Sequence, residues 1–206
     1  LVGSEMCIRD RNPIENEGVY PLPEAQRDRF LLKILVDYPS VEEEREIVYR
    51  MGNVPPSAAQ ILDPETTIRL QETAANVFVH HALVDYVVRV INATRRPAEL
   101  GLHDVDSWLS YGASPRATLG IVAAARALAL VRGRDYVIPA DIVELIPDVL
   151  RHRLVLSYDA LADEVTADQI INRILQTIGL PQVGTQPVQP AAGPPVQTMP
   201  GQQAPA

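Results

Sequence analysis

Residues 111–132 read YGASPRATLGIVAAARALALVR, and this stretch decides the fold. Ser114 is of a residue type that caps helices by accepting from the first free N–H groups. Pro115 fits the first helical position because its nitrogen has no hydrogen to leave unpaired. The residues from Ala117 to Val131 are apolar on nearly every face. They predict a helix that is buried on most sides, at the centre of a mainly α-helical protein.

Arg116 is the unusual residue of this helix, because a cation in the first turn meets the positive end of the helix dipole. That placement costs about 0.3–1 kcal/mol. Two explanations are open from the pattern alone. Arg116 pairs with a nearby carboxylate, or the arginine and the helix N-terminus together bind an anion such as a phosphate.

The composition limits the classes of function. The chain has 206 residues, enough for one ordinary domain or two small ones. A formal net charge of -8 gives general nucleic-acid binding no electrostatic support. The sequence has no apolar run long enough for a membrane span, and its single cysteine, Cys7, excludes an internal disulfide. The spacing of the histidines matches no metal-binding motif, so we expect no metal ligand set in this chain. Without a membrane span or a disulfide pattern, we expect a cytoplasmic protein.

Capping motifs and helical periodicity predict further helices on both sides of the central one. They lie at residues 40–50, 63–75, 81–94, 139–150 and 166–178. The sequence between 98 and 113 is predicted as a loop. Arg151-His152-Arg153 follow the fourth of these helices, and cations at that position stabilise a helix C-terminus.

Two other parts of the chain have distinct compositions. Residues 30–36 are almost continuously apolar, which predicts a parallel strand covered on both faces, with an exposed edge if a neighbour is missing. Residues 181–206 are rich in proline and glutamine and lack charge, which predicts a disordered tail. Residues 1–11 resemble a translated sequencing adapter, so we expect a non-native leader and a chain whose true N-terminal part is missing.

Three motifs together resemble the second half of the MoxR family of AAA+ ATPases. They are Asn12-Pro-Ile-Glu15, then Gly18-x-Tyr-Pro-Leu-Pro-Glu-Ala-Gln-x-Asp-Arg-Phe30, then Gly112-Ala-Ser-Pro-Arg116. The resemblance covers about residues 12–180. It implies that residues 12–38 are a remnant of the α/β P-loop ATPase core, with one core strand and a short helix. Residues 39–180 are then the helical lid domain.

The resemblance also implies roles for three side chains. Asn12 matches sensor 1, whose amide hydrogen-bonds the γ-phosphate and the attacking water; a plain turn residue is the alternative. Arg29 matches the arginine finger, which reaches the ATP of the neighbouring subunit; a salt bridge to Asp28 or Glu24 is the alternative. Arg116 matches sensor 2, the lid arginine on the subunit's own nucleotide. Arg27 stands where the family usually has an apolar residue, which leaves open which of the two arginines projects.

The sequence lacks a P-loop and a strand ending in paired acids, both of which the family carries before the position of Asn12. The resemblance therefore implies ATP and Mg²⁺ as cofactors of the full-length protein, and an inactive fragment. It further implies a chaperone-like motor, a homohexameric ring and partners with von Willebrand factor A-type domains. The alternative from another class is a non-enzymatic helical adaptor that binds peptides in a groove.

Overall fold

The computed structural model describes residues 22–51 and 57–181. The predictions for Asn12, for the leader at 1–11 and for the tail from residue 182 onward lie outside these residues. Within them the protein is mainly α-helical, as the sequence predicts. The helices are α1 (Glu24–Arg27), α2 (Val41–Met51), α3 (Pro64–Ala75), α4 (His81–Arg95), α5 (His103–Trp108), α6 (Pro115–Val131), α7 (Pro139–Leu150), α8 (Tyr158–Ala162) and α9 (Ala167–Thr177).

Helix α6 lies at the centre of the bundle, against α3, α4 and α7. Its buried face consists mainly of small residues, which let neighbouring helices approach closely; they are Ala117, Gly120, Ile121, Ala124, Ala125 and Ala129. The prediction that α6 is buried on most sides is only partly right, because Leu119 and Val131 on its other faces are exposed.

Branched side chains from α4, α7 and α9 complete the core around α6. Each fully buried residue of this kind contributes about 1.5–3 kcal/mol through the apolar surface that it removes from water. The largest of them are Leu83, Ile91, Ile142, Ile146, Leu150, Ile170, Ile171 and Ile174.

The predicted capping motifs of α2, α3 and α9 are present. Ser40 and Glu43 bond reciprocally at the start of α2, and Thr166 and Gln169 do the same at the start of α9. The Asp63 carboxylate accepts from the Thr66 N–H at 2.6 Å and so caps α3. These local patterns locate helix starts because each satisfies N–H groups that have no partner within the helix.

The prediction of a strand at residues 30–36 is wrong, because these residues form no strand in the structure. A strand needs a neighbour with which to exchange main-chain hydrogen bonds, and the described residues supply none. The segment bonds to the end of α7 instead, where the Lys33 N–H donates to the Asp148 carbonyl at 2.8 Å. Ile34, Leu35 and Val36 remain exposed.

The prediction of a loop at residues 98–113 is also wrong. This part of the chain contains a 3₁₀ turn at Pro97–Leu100, helix α5 and strand β1 (Leu109–Tyr111). Strand β1 pairs antiparallel with β2 (Val155–Leu156), and Val105 of α5 is fully buried. These elements are too short for periodicity to reveal, and tertiary contacts form them.

Candidate functional site

The turn that leads into α6 is held against the end of α4. A Cβ on Gly112 would lie 2.2 Å from the Thr94 carbonyl oxygen, so only glycine fits this approach. The Ala113 N–H donates to the Thr94 hydroxyl at 3.0 Å, and Arg95 Nε donates to the Ala113 carbonyl at 2.7 Å. These contacts determine where the first turn of α6 begins and where Arg116 emerges.

Ser114 precedes α6 but does not cap it with its side chain, contrary to the sequence prediction. Its hydroxyl donates to the Asp28 carboxylate, with Oγ 2.9 Å from Oδ1 and 3.0 Å from Oδ2. The Ala117 N–H is satisfied by the Ser114 carbonyl. The hydroxyl therefore joins the helix start to a residue 86 positions earlier in the chain.

Arg116 also contacts Asp28, with Nη1 3.2 Å from Oδ2. The pairing with a carboxylate that the sequence left open is therefore present. The Arg116 side chain is nevertheless 59% exposed. An ion pair this exposed contributes little, about 0–1 kcal/mol, so a polyphosphate can compete for the guanidinium.

Asp28 is the centre of the cluster, since Ser114, Arg116 and Arg153 all bond to its carboxylate. Burial alone would raise its pKa. The hydrogen bonds from Ser114 and Arg116 and the charge of Arg153 outweigh burial, so the pKa of Asp28 lies below its ordinary value. Asp28 is therefore ionised at neutral pH and balances part of the positive charge around it.

Arg29 directly follows Asp28, and its side chain is exposed. Arg29 makes no ion pair with any residue in the described part of the chain. Glu24, one of the two carboxylates expected to pair with it, lies beside Arg27, with Oε1 4.0 Å from Arg27 Nη2. Arg27 is less exposed, and its Nε is buried. Of the two arginines, Arg29 is thus the more exposed.

The sequence prediction missed two buried groups of this site. Arg153 and His152 follow α7, and both side chains bond to residues 28–31. His152 Nε2 lies 2.9 Å from the Phe30 carbonyl oxygen. Burial lowers the pKa of His152, the Phe30 carbonyl opposes this in part, and the charge of Arg153 lowers it further. The cationic triplet was visible in the sequence, but its burial was not.

A shallow cavity of about 200 Å³ lies beside this cluster, between α1 and the β1–α6 turn. Its polar lining comes from Glu24, Arg27, Asp28, Ser114, His152 and Arg153. Neither Arg29 nor Arg116 lines this cavity. The exposed guanidinium of Arg116 at the start of α6 is the group that suits a phosphate. The described residues contain no group of three or more side chains that could hold a metal ion. No helix among them is long and apolar enough to cross a membrane.

Two protein-family models match the chain. Residues 103–174 match the AAA lid domain, and residues 3–32 match the family of ATPases associated with various cellular activities. The chain is 70% identical to chaperone MoxR1 of Mycobacterium tuberculosis over 93% of its own length and 51% of that protein. It is 36% identical to protein MoxR of Paracoccus denitrificans over 72% of its length and 47% of that protein.

A solved structure has the same fold. It is a crystal structure of a candidate ATPase from Cytophaga hutchinsonii, with a TM-score of 0.79 and 38% sequence identity. The match covers 84% of the present chain and 53% of the other. The chain thus spans about half the length of the relatives that it matches.

Proposed function

Because this chain belongs to the MoxR family of AAA+ ATPases, we propose that it is part of an ATP-hydrolysing, chaperone-like motor that remodels partner proteins. In this proposal the chain supplies sensor 1 (Asn12), the arginine finger (Arg29) and the sensor 2 lid arginine (Arg116). The intact motor is a homohexameric ring in the cytoplasm, with partners that carry von Willebrand factor A-type domains. Family membership favours this motor over the helical adaptor.

The observation that carries the proposal is the ion pair between Arg116 and Asp28. It places the lid arginine beside the residue that precedes Arg29, and both arginines are exposed. Planar guanidinium groups bind phosphate oxygens in pairs and keep their charge at any physiological pH. In this proposal Arg29 acts on the ATP of the neighbouring subunit, whereas Arg116, as sensor 2, acts on the nucleotide of its own subunit.

ATP with Mg²⁺ supplies the phosphoryl group of the reaction when it is bound. Arg29 provides a fixed positive charge for the transferring group, an effect worth about 10³–10⁵ in rate in other nucleotide hydrolases. Arg116 helps to hold the phosphates, and Asn12 orients water. This chain has no P-loop in its 206 residues, so we expect no sub-millimolar ATP binding in isothermal titration of the chain alone.

Two variants of the intact protein test the first part of the proposal. Arg29→Ala should abolish turnover while ATP affinity stays nearly unchanged, because the finger does not serve its own subunit's nucleotide. Equal loss of ATP affinity in a nucleotide titration would contradict that role. Arg116→Ala should lower affinity or turnover, and unchanged values of both would remove Arg116 from the site.

A mixing experiment tests whether Arg116 acts across the subunit interface. Arg116→Ala protein is mixed with protein in which the P-loop lysine is replaced by alanine. If Arg116 serves the neighbour, mixed rings regain turnover, since an intact P-loop then faces an intact Arg116. If Arg116 serves its own nucleotide, no site in the mixture is complete and turnover stays absent. The same mixture made with Arg29→Ala is the control for the finger.

A further inference from the structure

Arg153 is a second kind of arginine in this cluster. Its side chain is only 3% exposed, whereas that of Arg116 is 59% exposed. Burial lowers the pKa of its guanidinium, and the neighbouring Asp28 opposes this. A buried charge is tolerated only when it is paired and its N–H groups find acceptors. The acceptors of Arg153 therefore show what this side chain is for.

Most acceptors of Arg153 lie on the segment around Arg29. Its Nε donates to Asp28 Oδ1 at 3.1 Å, and Nη2 donates to the Asp28 and Phe30 carbonyls at 3.3 and 2.6 Å. Its Nη1 donates to the Leu31 carbonyl at 3.1 Å and also to the Val149 carbonyl. The guanidinium thus bonds the residues on either side of Arg29 to the end of α7, and the side chain of Arg29 stays exposed.

Two neighbours reinforce this attachment. His152 Nε2 reaches the same Phe30 carbonyl as Arg153, at 2.9 Å. On the facing side, a Cβ on Gly120 of α6 would lie 3.1 Å from Leu31 Cδ1. The segment at 28–31 therefore contacts both α6 and the end of α7, although it has no regular secondary structure beyond a turn.

We propose that Arg153 is a positioning residue for Arg29, which it holds at a fixed place relative to the helical bundle. This inference rests on the proposed role of Arg29 as arginine finger. Transition-state stabilisation by a charge depends on placement, and a displacement of about 1 Å can lower a rate by about 10²-fold. Lysine does not replace Arg153, because its single ammonium cannot reach acceptors spread over three residues and the end of α7.

The test uses Arg153→Lys in the intact protein. We expect kcat to fall by about 10–100-fold while the ATP dissociation constant, measured by titration, changes by less than about threefold. Hydrogen exchange without nucleotide should become faster in the peptide covering residues 24–33. If Arg153→Lys does not fold, Arg153→Gln is measured in its place, since it keeps two N–H donors without the buried charge.

Arg134→Lys is the matched control. Arg134 makes a comparable buried network with Asp141, away from residues 28–31. This variant should speed exchange around residues 132–144 and leave kcat within about twofold of the parent, because distant sites act independently. A similar loss of kcat in both variants would mean that general loosening of the bundle, not placement of Arg29, causes the effect, and would overturn the inference.

A double variant separates this inference from the proposed function. If Arg153 acts through Arg29, then Arg153→Lys should lower the remaining turnover of an Arg29→Lys protein by much less than it lowers that of the parent. Additive losses, or unchanged kcat in Arg153→Lys alone, would overturn the role of Arg153 and leave the finger intact. Full turnover in Arg29→Ala would instead overturn the proposed function, and the role of Arg153 with it.

Discussion

Ser114 donates its hydroxyl to both carboxylate oxygens of Asp28 and makes no side-chain cap for the helix that it precedes. Serine at this position ordinarily caps the helix that follows it. Here its side chain instead joins the start of α6 to Asp28, which lies far away in the chain. The helix tolerates this because Pro115 has no N–H and the Ala117 N–H bonds to the Ser114 carbonyl. The stabilising role of Ser114 therefore depends on Asp28.

We predict that Ser114→Ala lowers the free energy of unfolding by about 1 kcal/mol, the value of a typical hydrogen bond. In an Asp28→Ala background the same change should have almost no effect. Ser157→Ala is the control, since Ser157 does cap its helix by accepting from the Ala160 N–H at 3.2 Å. It should cost about 1 kcal/mol in either background. Urea denaturation followed by circular dichroism measures all six proteins, and an unchanged Ser114 effect without Asp28 would refute the dependence.

Gly112→Ala should destabilise the protein and weaken ATP binding by the intact motor. The new Cβ would meet the Thr94 carbonyl at 2.2 Å, so either the end of α4 or the turn before Arg116 must shift. Overpacking of this kind costs about 1–3 kcal/mol. Gly179→Ala is the control, because a Cβ there meets nothing within 4 Å. Equal thermal stability of the two variants would show that the close approach at Gly112 is not needed.

His152 should make the protein less stable as the pH falls. Burial lowers its pKa in the folded state from the ordinary value of 6.5, so the unfolded chain takes up a proton first. The stabilisation is then fully present above about 6.5 and is lost as the pH falls from there toward the lower folded pKa. Unfolding by urea at pH 7.5 and 5.5 should show this loss, and His152→Gln should reduce it. Replacing the exposed His103 by glutamine should leave the loss unchanged.

Asp141→Asn should be one of the more damaging changes in the bundle. Its side chain is fully buried and accepts from Arg132, Arg134 and the Ile138 N–H. Removing one partner of a buried ion pair costs about 3–5 kcal/mol. Glu144→Gln is the matched control, because Glu144 pairs with the same Arg132 at the surface and should cost less than about 1 kcal/mol. Similar losses in both variants, measured by thermal denaturation, would contradict the importance of burial.

Most of the helical architecture could be predicted from the sequence, because it is encoded locally. Caps such as Asp63 and Thr166 and the apolar spacing of α4 and α7 identified helices within a few residues of their ends. The unusual position of Arg116 also indicated the cluster at the start of α6. These signals rest on contacts between residues three or four positions apart, which a single sequence displays.

The remaining features depend on partners distant in the chain. Residues 30–36 have the composition of a strand, but their main-chain groups bond to the end of α7. Arg153 has the position of a helix-end cation, and its contact with the Val149 carbonyl agrees with that, yet its other acceptors lie more than 120 residues away. Burial of His152 and Arg153 has no periodic signature, so the sequence could not distinguish these residues from a solvated surface.

The attachment of residues 28–31 to both α6 and α7 has a mechanical consequence. A hinge rotation of the helical bundle cannot leave Arg29 behind, because that would strip Arg153 of four acceptors and break the Asp28 pair with Arg116 at the same time. We therefore expect the pivot of any such motion to lie outside the stretch from Asp28 to Leu31. Arg29 should therefore move together with this end of the bundle, as part of the same rigid body.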